Sequence, residues 1–112
     1  MTRVWNAFLY SLAGLRAAFK DEPAFRQECL LACILFPAAF FITPDMFERS
    51  VLIGVWLLVM LVELLNSAIE ATIDRISSEH HPLAKKAKDC ASAAVLVAIV
   101  LAIVVWGGLV FD

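Results

Sequence analysis

The sequence predicts an all-α membrane protein in a single domain, residues 1–112, with an N-terminal amphipathic surface helix and three transmembrane helices. The composition is the first reason, because 62% of the residues are hydrophobic, whereas soluble domains use about 45–50%. The second reason is a stretch without any charged residue, 90–111, which is long enough to cross the hydrocarbon core of a bilayer. The net charge of −2 argues against nucleic-acid binding, because phosphate neutralisation requires an excess of Lys and Arg.

The first element is a surface helix over residues 1–21. Its large apolar residues recur at helical spacing with polar residues between them; they are Trp5, Phe8, Leu9, Leu12, Leu15 and Phe19. A helix of this kind lies along a membrane with its apolar face in the lipid. Pro23 disfavours helix at the preceding residue and suits the first turn of a new helix, so Asp21 and Glu22 mark the bend into the first span.

Three transmembrane helices are expected over residues 24–43, 50–73 and 86–111. The first apolar run is short, and it reaches sufficient length only if the Arg, Gln and Glu at 26–28 sit at the membrane interface. Eight of the nine Lys and Arg residues lie before the first span, between the second and third, or within the first three residues of the first or third span. By the positive-inside rule, the N-terminus and the 75–89 loop are therefore expected in the cytoplasm.

The second half of the second span carries a polar stripe. At about 100° per residue, five side chains fall on one face of the helix; they are Glu63, Asn66, Ser67, Glu70 and Asp74. Burying a carboxylate in lipid costs roughly a few kcal/mol, so this face is expected to contact protein, ion or water. A polar seam joining helices is the alternative, which a single Asn or Ser would favour. Two glutamates and an aspartate favour a functional site.

The start of the third span supplies the opposite charge. Lys85, Lys88, Asp89 and Ser92 share one face of that helix. Lysines at this position also follow from snorkelling and from the positive-inside rule, which suffice to explain Lys86. Lys88 and Asp89, facing the carboxylate stripe, indicate a site for metal and phosphate, because carboxylates bind Mg²⁺ and lysine screens phosphoryl oxygens.

Several sequence blocks carry a family resemblance: GLRAA at 14–18, AFRQE at 24–28, ELLNSAIEA at 63–71 and AKD at 87–89. Together they resemble the prokaryotic diacylglycerol kinase family over essentially the whole chain. The resemblance implies a homotrimeric enzyme of the bacterial inner membrane that uses ATP and Mg²⁺ to convert diacylglycerol to phosphatidic acid. It also implies that Glu63 is the general base and that Glu22 and Glu70 hold the metal.

The resemblance further implies the substrate contacts. Those of ATP are Arg3, Tyr10, Glu22, Asn66, Glu70, Glu79, His80, His81, Lys88 and Asp89. Those of the lipid are Arg3, Arg16, Ser92 and Trp106. One chain offers too few helices to enclose ATP, metal and a lipid headgroup, so neighbouring copies are expected to complete each site.

Alternatives stay open for several residues and for the function. Glu22 also fits a helix cap, His80 and His81 fit ordinary interfacial loop residues, and Trp106 fits an interfacial anchor. The segment HPLAKKAKD resembles undecaprenol kinases of the same family. Intramembrane glutamates also occur in proton-coupled transporters, but relay carboxylates belong near the midplane, whereas most of these charges cluster at the cytoplasmic end.

Overall fold

The protein is a bundle of α-helices in a computed structural model that describes residues 2–76 and 80–112. The described residues form four helices, which are α1 (Thr2–Asp21), α2 (Pro23–Ile42), α3 (Met46–Ile76) and α4 (Pro82–Val110). Helices α2, α3 and α4 are each long and apolar enough to cross a membrane. The all-helical fold with three such helices is confirmed, whereas the placement of α1 on the cytoplasmic membrane surface stays a prediction.

The helix boundaries follow from residues that cannot continue a helix. Glu22 is extended, with φ −116° and ψ 103°, and Pro23 occupies the first turn of α2, where its missing N–H costs nothing. Thr43 is extended and ends α2. His81 precedes Pro82 and caps α4, because its Nδ1 accepts a hydrogen bond from the Leu83 N–H at 3.0 Å.

Helix α3 occupies the centre, since it packs against both α2 and α4. The core consists of small and apolar side chains from these three helices, namely Ala32, Val55, Trp56, Val59, Ala98 and Ala102. Alanines on α4 let the two backbones approach closely, which increases van der Waals contact between helices that have no hydrophobic driving force in lipid. The centre of the bundle is therefore tightly packed around α3.

Two indole hydrogen bonds fix how the helices sit beside one another. The Trp56 Nε1 on α3 donates to the backbone oxygen of Glu28 on α2 at 3.0 Å. The Trp106 Nε1 on α4 donates to the backbone oxygen of Leu52 on α3 at 3.1 Å. Trp106 thus ties α4 to the half of α3 that lies away from Glu63, and its predicted contact with lipid substrate stays a prediction.

The turn between α2 and α3 is held by side chains bonded to its backbone. Arg49 Nε donates to the Thr43 backbone oxygen at 2.7 Å, and its Nη2 donates to that of Phe40 at 3.3 Å. The Asp45 carboxylate accepts from the Phe47 N–H at 2.8 Å. Because the turn is short and held by these bonds, it helps to set the register of α2 against α3.

Helix α1 makes little contact with the rest of the chain, and of its described residues only Ala18 is buried. Its C-terminal end is nevertheless anchored, because Arg26 Nη1 on α2 donates to the backbone oxygens of Phe19 at 3.0 Å and Lys20 at 2.7 Å. These are carbonyls in the last turn of a helix, which have no partner within the helix. One guanidinium therefore joins α1 to the start of α2.

Candidate active site

The polar stripe of α3 forms a hydrogen-bonded group centred on Asn66. Its Nδ2 donates to Glu63 Oε2 at 3.2 Å and to Glu70 Oε1 at 3.3 Å. These residues are three and four positions from Asn66, where side chains on a helix become neighbours. Glu63 is only 7% exposed, whereas Glu70 is half-buried. The site therefore has a dry end at Glu63 and a wetter end at Glu70.

Helix α4 brings a cation to the wet end of the stripe. Lys88 Nζ donates to Asp74 Oδ1 at 2.7 Å, with the two side chains 41% and 66% exposed. Glu70 also lies near enough to attract Lys88. Because this ion pair is in contact with solvent, an incoming anion can replace Asp74 at little cost.

Asp89 is bonded within its own helix rather than to the stripe. Lys85 Nζ donates to Asp89 Oδ2 at 2.7 Å, and both side chains are exposed. The hydrogen bond to Asp89 raises the pKa of the Lys85 amine above its usual value. Lys88 and Asp89 were both expected to face the carboxylate stripe; Lys88 bonds to Asp74 of the stripe, whereas Asp89 bonds to Lys85.

Glu22 stands at the N-cap position of α2, but its side chain makes no capping hydrogen bond within the described part of the chain. The capping alternative for this carboxylate therefore gains no support. Glu22 is half-buried, so it remains accessible to a ligand at the junction of α1 and α2.

The remaining sequence-predicted residues that the structure describes lie on α1, on α4 or in the segment before α4. Exposed side chains among them are Arg3, Tyr10, Arg16, His80 and Ser92. His81 is engaged in capping α4, which agrees with its structural alternative. Glu79 lies outside the described residues. Their roles in binding nucleotide or lipid stay predictions.

Glu28 is the residue that the sequence reasoning missed. It was expected at the membrane interface, but it is only 7% exposed, and its carboxyl group lies within hydrogen-bonding reach of Glu63. Glu28 shares one helical face with Phe25 and Ala32, which are also buried. That spacing of three and four residues is the signal that could have placed Glu28 against α3.

Three buried side-chain oxygens around Glu63 have no hydrogen-bond partner among the described residues: Glu28 Oε1, Asn66 Oδ1 and Ser67 Oγ. Leaving such an atom unsatisfied costs about 1–3 kcal/mol. Native proteins retain unsatisfied groups mainly where a ligand, ion or catalytic role uses them. Their concentration beside Glu63 favours a ligand site at this level of the bundle.

The donor set fits a magnesium ion that shares its coordination with a substrate. Among residues 2–76 and 80–112, no group of three or more carboxylate, His or Cys side chains could hold a metal alone. Mg²⁺ in kinases takes one or two carboxylates and completes its shell with phosphate and water oxygens. Glu70 beside the unpartnered Asn66 Oδ1 offers hard oxygen donors of this kind.

A separate apolar hollow of about 270 Å³ lies between α3 and α4. Its lining includes Leu65, Ile69 and Thr72, which fall on the side of α3 opposite Glu63 by the 3.6-residue period. The hollow is therefore not continuous with the polar stripe.

Comparison with known proteins identifies relatives of nearly the whole chain. The sequence profile described as prokaryotic diacylglycerol kinase matches residues 9–110. A protein named diacylglycerol kinase from Haemophilus influenzae is 50% identical over 99% of this chain and 94% of its own length. Proteins of the same name from Pseudomonas aeruginosa and Escherichia coli are 54% and 50% identical, over 95% and 94% of this chain and 86% of each relative. The matched region contains all of α2, α3 and α4.

Proposed function

We propose that this chain, which belongs to the prokaryotic diacylglycerol kinase family, transfers the γ-phosphoryl group of ATP to the free hydroxyl of diacylglycerol. The product is phosphatidic acid, so the reaction returns a lipid alcohol to phospholipid metabolism. The observation that carries the proposal is the buried Glu63 carboxylate, joined through Asn66 to Glu70 and lying on the same face as the Lys88 ion pair.

The reaction needs one proton acceptor and an aligned phosphoryl group. Glu63 accepts the proton of the diacylglycerol hydroxyl as the hydroxyl oxygen bonds to the γ-phosphorus. The bond from that phosphorus to the bridging oxygen breaks, and ADP leaves with the electron pair. Asn66 holds Glu63 by donating to its Oε2, which leaves the other carboxylate oxygen to face the substrate.

Charge on the phosphates is neutralised from the wet end of the stripe. Lys88 exchanges Asp74 for a phosphate oxygen, which the exposure of their ion pair supports. Glu22 and Glu70 would hold Mg²⁺, which screens the phosphate oxygens when bound. Asn66, also counted among the nucleotide contacts, offers its unpartnered Oδ1 at this point.

The other nucleotide contacts in this proposal come from α1, from the segment before α4 and from α4 itself. They are Arg3, Tyr10, Glu79, His80, His81 and Asp89. The lipid contacts are Arg3, Arg16, Ser92 and Trp106. Arg3 therefore serves both substrates, which is reasonable for a side chain near a transferring phosphate.

The chain is proposed to sit in the bacterial inner membrane with its N-terminus in the cytoplasm. Nearly all Lys and Arg residues fall on that side by the expected topology. The large apolar side chains of α1 are exposed, among them Trp5, Phe8 and Phe19. An exposed apolar row on a helix that contacts little else supports a position along the membrane surface.

A homotrimer with shared sites is part of the proposal. Within one chain, Asp74 is exposed and Glu70 is only half-covered, although a carboxylate facing acyl chains is costly. A neighbouring copy that covers the stripe removes this cost. In a closed ring each contact is heterologous, so the stripe of one subunit can face different residues of the next.

The alternative substrate is undecaprenol, because HPLAKKAKD resembles the corresponding segment of undecaprenol kinases. The deciding experiment is ADP release by the purified protein in mixed micelles containing either diacylglycerol or undecaprenol. We expect turnover with diacylglycerol and little with undecaprenol. Turnover with undecaprenol but not with diacylglycerol would make undecaprenol the substrate. No turnover with either lipid would refute the proposal that the protein phosphorylates a lipid.

A further inference from the structure

Two buried carboxyl groups meet where α2 contacts α3. Glu28 and Glu63 are each 7% exposed, and their carboxyl groups lie within hydrogen-bonding reach of each other. No basic side chain within 4.0 Å pairs with either of them in the described part of the chain. The contact therefore joins two acidic groups in a place that excludes water.

The backbone around this contact is fixed. Trp56 Nε1 donates to the Glu28 backbone oxygen at 3.0 Å. Trp56 precedes Glu63 by two helical turns, so both lie on the face of α3 that meets α2. Phe25 and Ala32 flank Glu28 on its own face and are buried as well. Glu28 is therefore held against α3 by packed neighbours and by the Trp56 indole.

Two adjacent carboxyl groups in a dry site attract only when one of them carries a proton and donates it in a hydrogen bond. Glu63 already accepts a hydrogen bond from Asn66. Glu28 Oε1 accepts no hydrogen bond from the described residues. This fits a carboxyl group whose nearest polar neighbour, Glu63, is itself an acceptor. Glu28 is thus the donor and Glu63 the acceptor.

We propose that Glu28 is a positioning residue, whose carboxylic acid donates a hydrogen bond to Glu63 and holds it for proton abstraction. Asn66 holds Glu63 from within α3, and Glu28 holds it from α2. Two donors from different helices fix a side chain that one donor leaves free to rotate. This inference rests on the proposed role of Glu63 as the base, and it adds a residue from a second helix to that site.

The test compares Glu28→Gln with Glu28→Met. The Gln amide still donates to Glu63, whereas Met has similar size and no donor. We expect Glu28→Gln to keep kcat within about threefold of the parent, and Glu28→Met to lower kcat by about 10- to 100-fold with little change in the KM for ATP. The matched control is Gln27→Met, since Gln27 is the exposed neighbour on the same helix; its kcat should not change.

Two results would overturn the proposal: a kcat for Glu28→Met equal to that of the parent, or an equal loss in Glu28→Gln and Glu28→Met. Melting temperatures of Glu28→Met, Glu63→Met and the double variant give a readout that needs no activity, because Met at either position removes the hydrogen bond. If the carboxyl groups are bonded, the double variant loses less than the sum of the single losses. Additive losses would refute the contact itself, whereas coupled losses in a chain that phosphorylates no lipid would refute only the proposed function.

Discussion

Replacing Glu63 by Gln removes a proton acceptor and almost nothing else. The Gln side chain has the same length, and its amide oxygen can still accept the hydrogen bond that Asn66 donates to Glu63 at 3.2 Å. General-base catalysis contributes about 10²- to 10⁴-fold, which corresponds to about 3–5 kcal/mol of transition-state stabilisation. We therefore expect kcat with diacylglycerol to fall by that factor, while the KM for ATP stays near the parent value because Lys88 and Glu70 are untouched.

The assay is ADP release in diacylglycerol micelles, with thermal unfolding measured on the same preparations. Glu48→Gln is the matched control, because Glu48 lies near the opposite end of the same helix and accepts a hydrogen bond from Thr43 that an amide oxygen can also accept. A Glu63→Gln enzyme with kcat within about threefold of the parent would remove Glu63 from the base role. A large fall in the melting temperature of Glu63→Gln would instead attribute its loss of activity to a disturbed fold.

Three further predictions concern the ion, the lysine and the assembly. Glu22→Gln and Glu70→Gln should each raise the Mg²⁺ concentration needed for half-maximal activity, and an unchanged Mg²⁺ titration would return that residue to a structural role. Lys88→Met should raise the KM for ATP, and a KM equal to that of the parent would contradict the phosphate contact. Asp74→Asn breaks the same ion pair, and because that pair is exposed, the melting temperature should stay nearly unchanged. The mixing experiment combines Glu63→Gln subunits with Arg3→Met, Glu22→Gln or Lys88→Met subunits, at Mg²⁺ and ATP concentrations where each variant alone has little activity. Mixing should restore some activity if sites are shared between copies, and failure of every mixture despite verified co-assembly would show that each chain builds its own site.

The sequence predicts the part of the site that lies on one helix. Glu63, Asn66 and Glu70 are three and four residues apart, so the helical period alone places them together, and the structure joins them through Asn66. Lys88 was expected to face the stripe from the third span. It does so, and its hydrogen bond goes to Asp74, the last residue of the stripe.

The contact between Glu28 and Glu63 could not be predicted in the same way. It depends on the register of α2 against α3, which is set by the turn at Thr43 and by the Trp56 indole, whose partner Glu28 is 28 residues away. Hydropathy places Glu28 beside the polar residues at the start of an apolar run, which is typical of an interfacial position. Only its spacing from Phe25 and Ala32 distinguishes it from a residue in the headgroup region.

Arg26 anchors α1 at its C-terminal end, so a rotation of α1 about that end displaces its N-terminal end the most. The helix has 20 residues, so its axis is about 30 Å long at 1.5 Å per residue. A rotation of about 10° about the C-terminal end would move the far end, where Arg3 lies, by about 5 Å. The Arg26 bonds to the Phe19 and Lys20 carbonyls and the buried Ala18 oppose that rotation from the α2 end. If Arg3 contacts a phosphate as proposed, its reach would therefore depend on a side chain more than twenty positions away in the sequence.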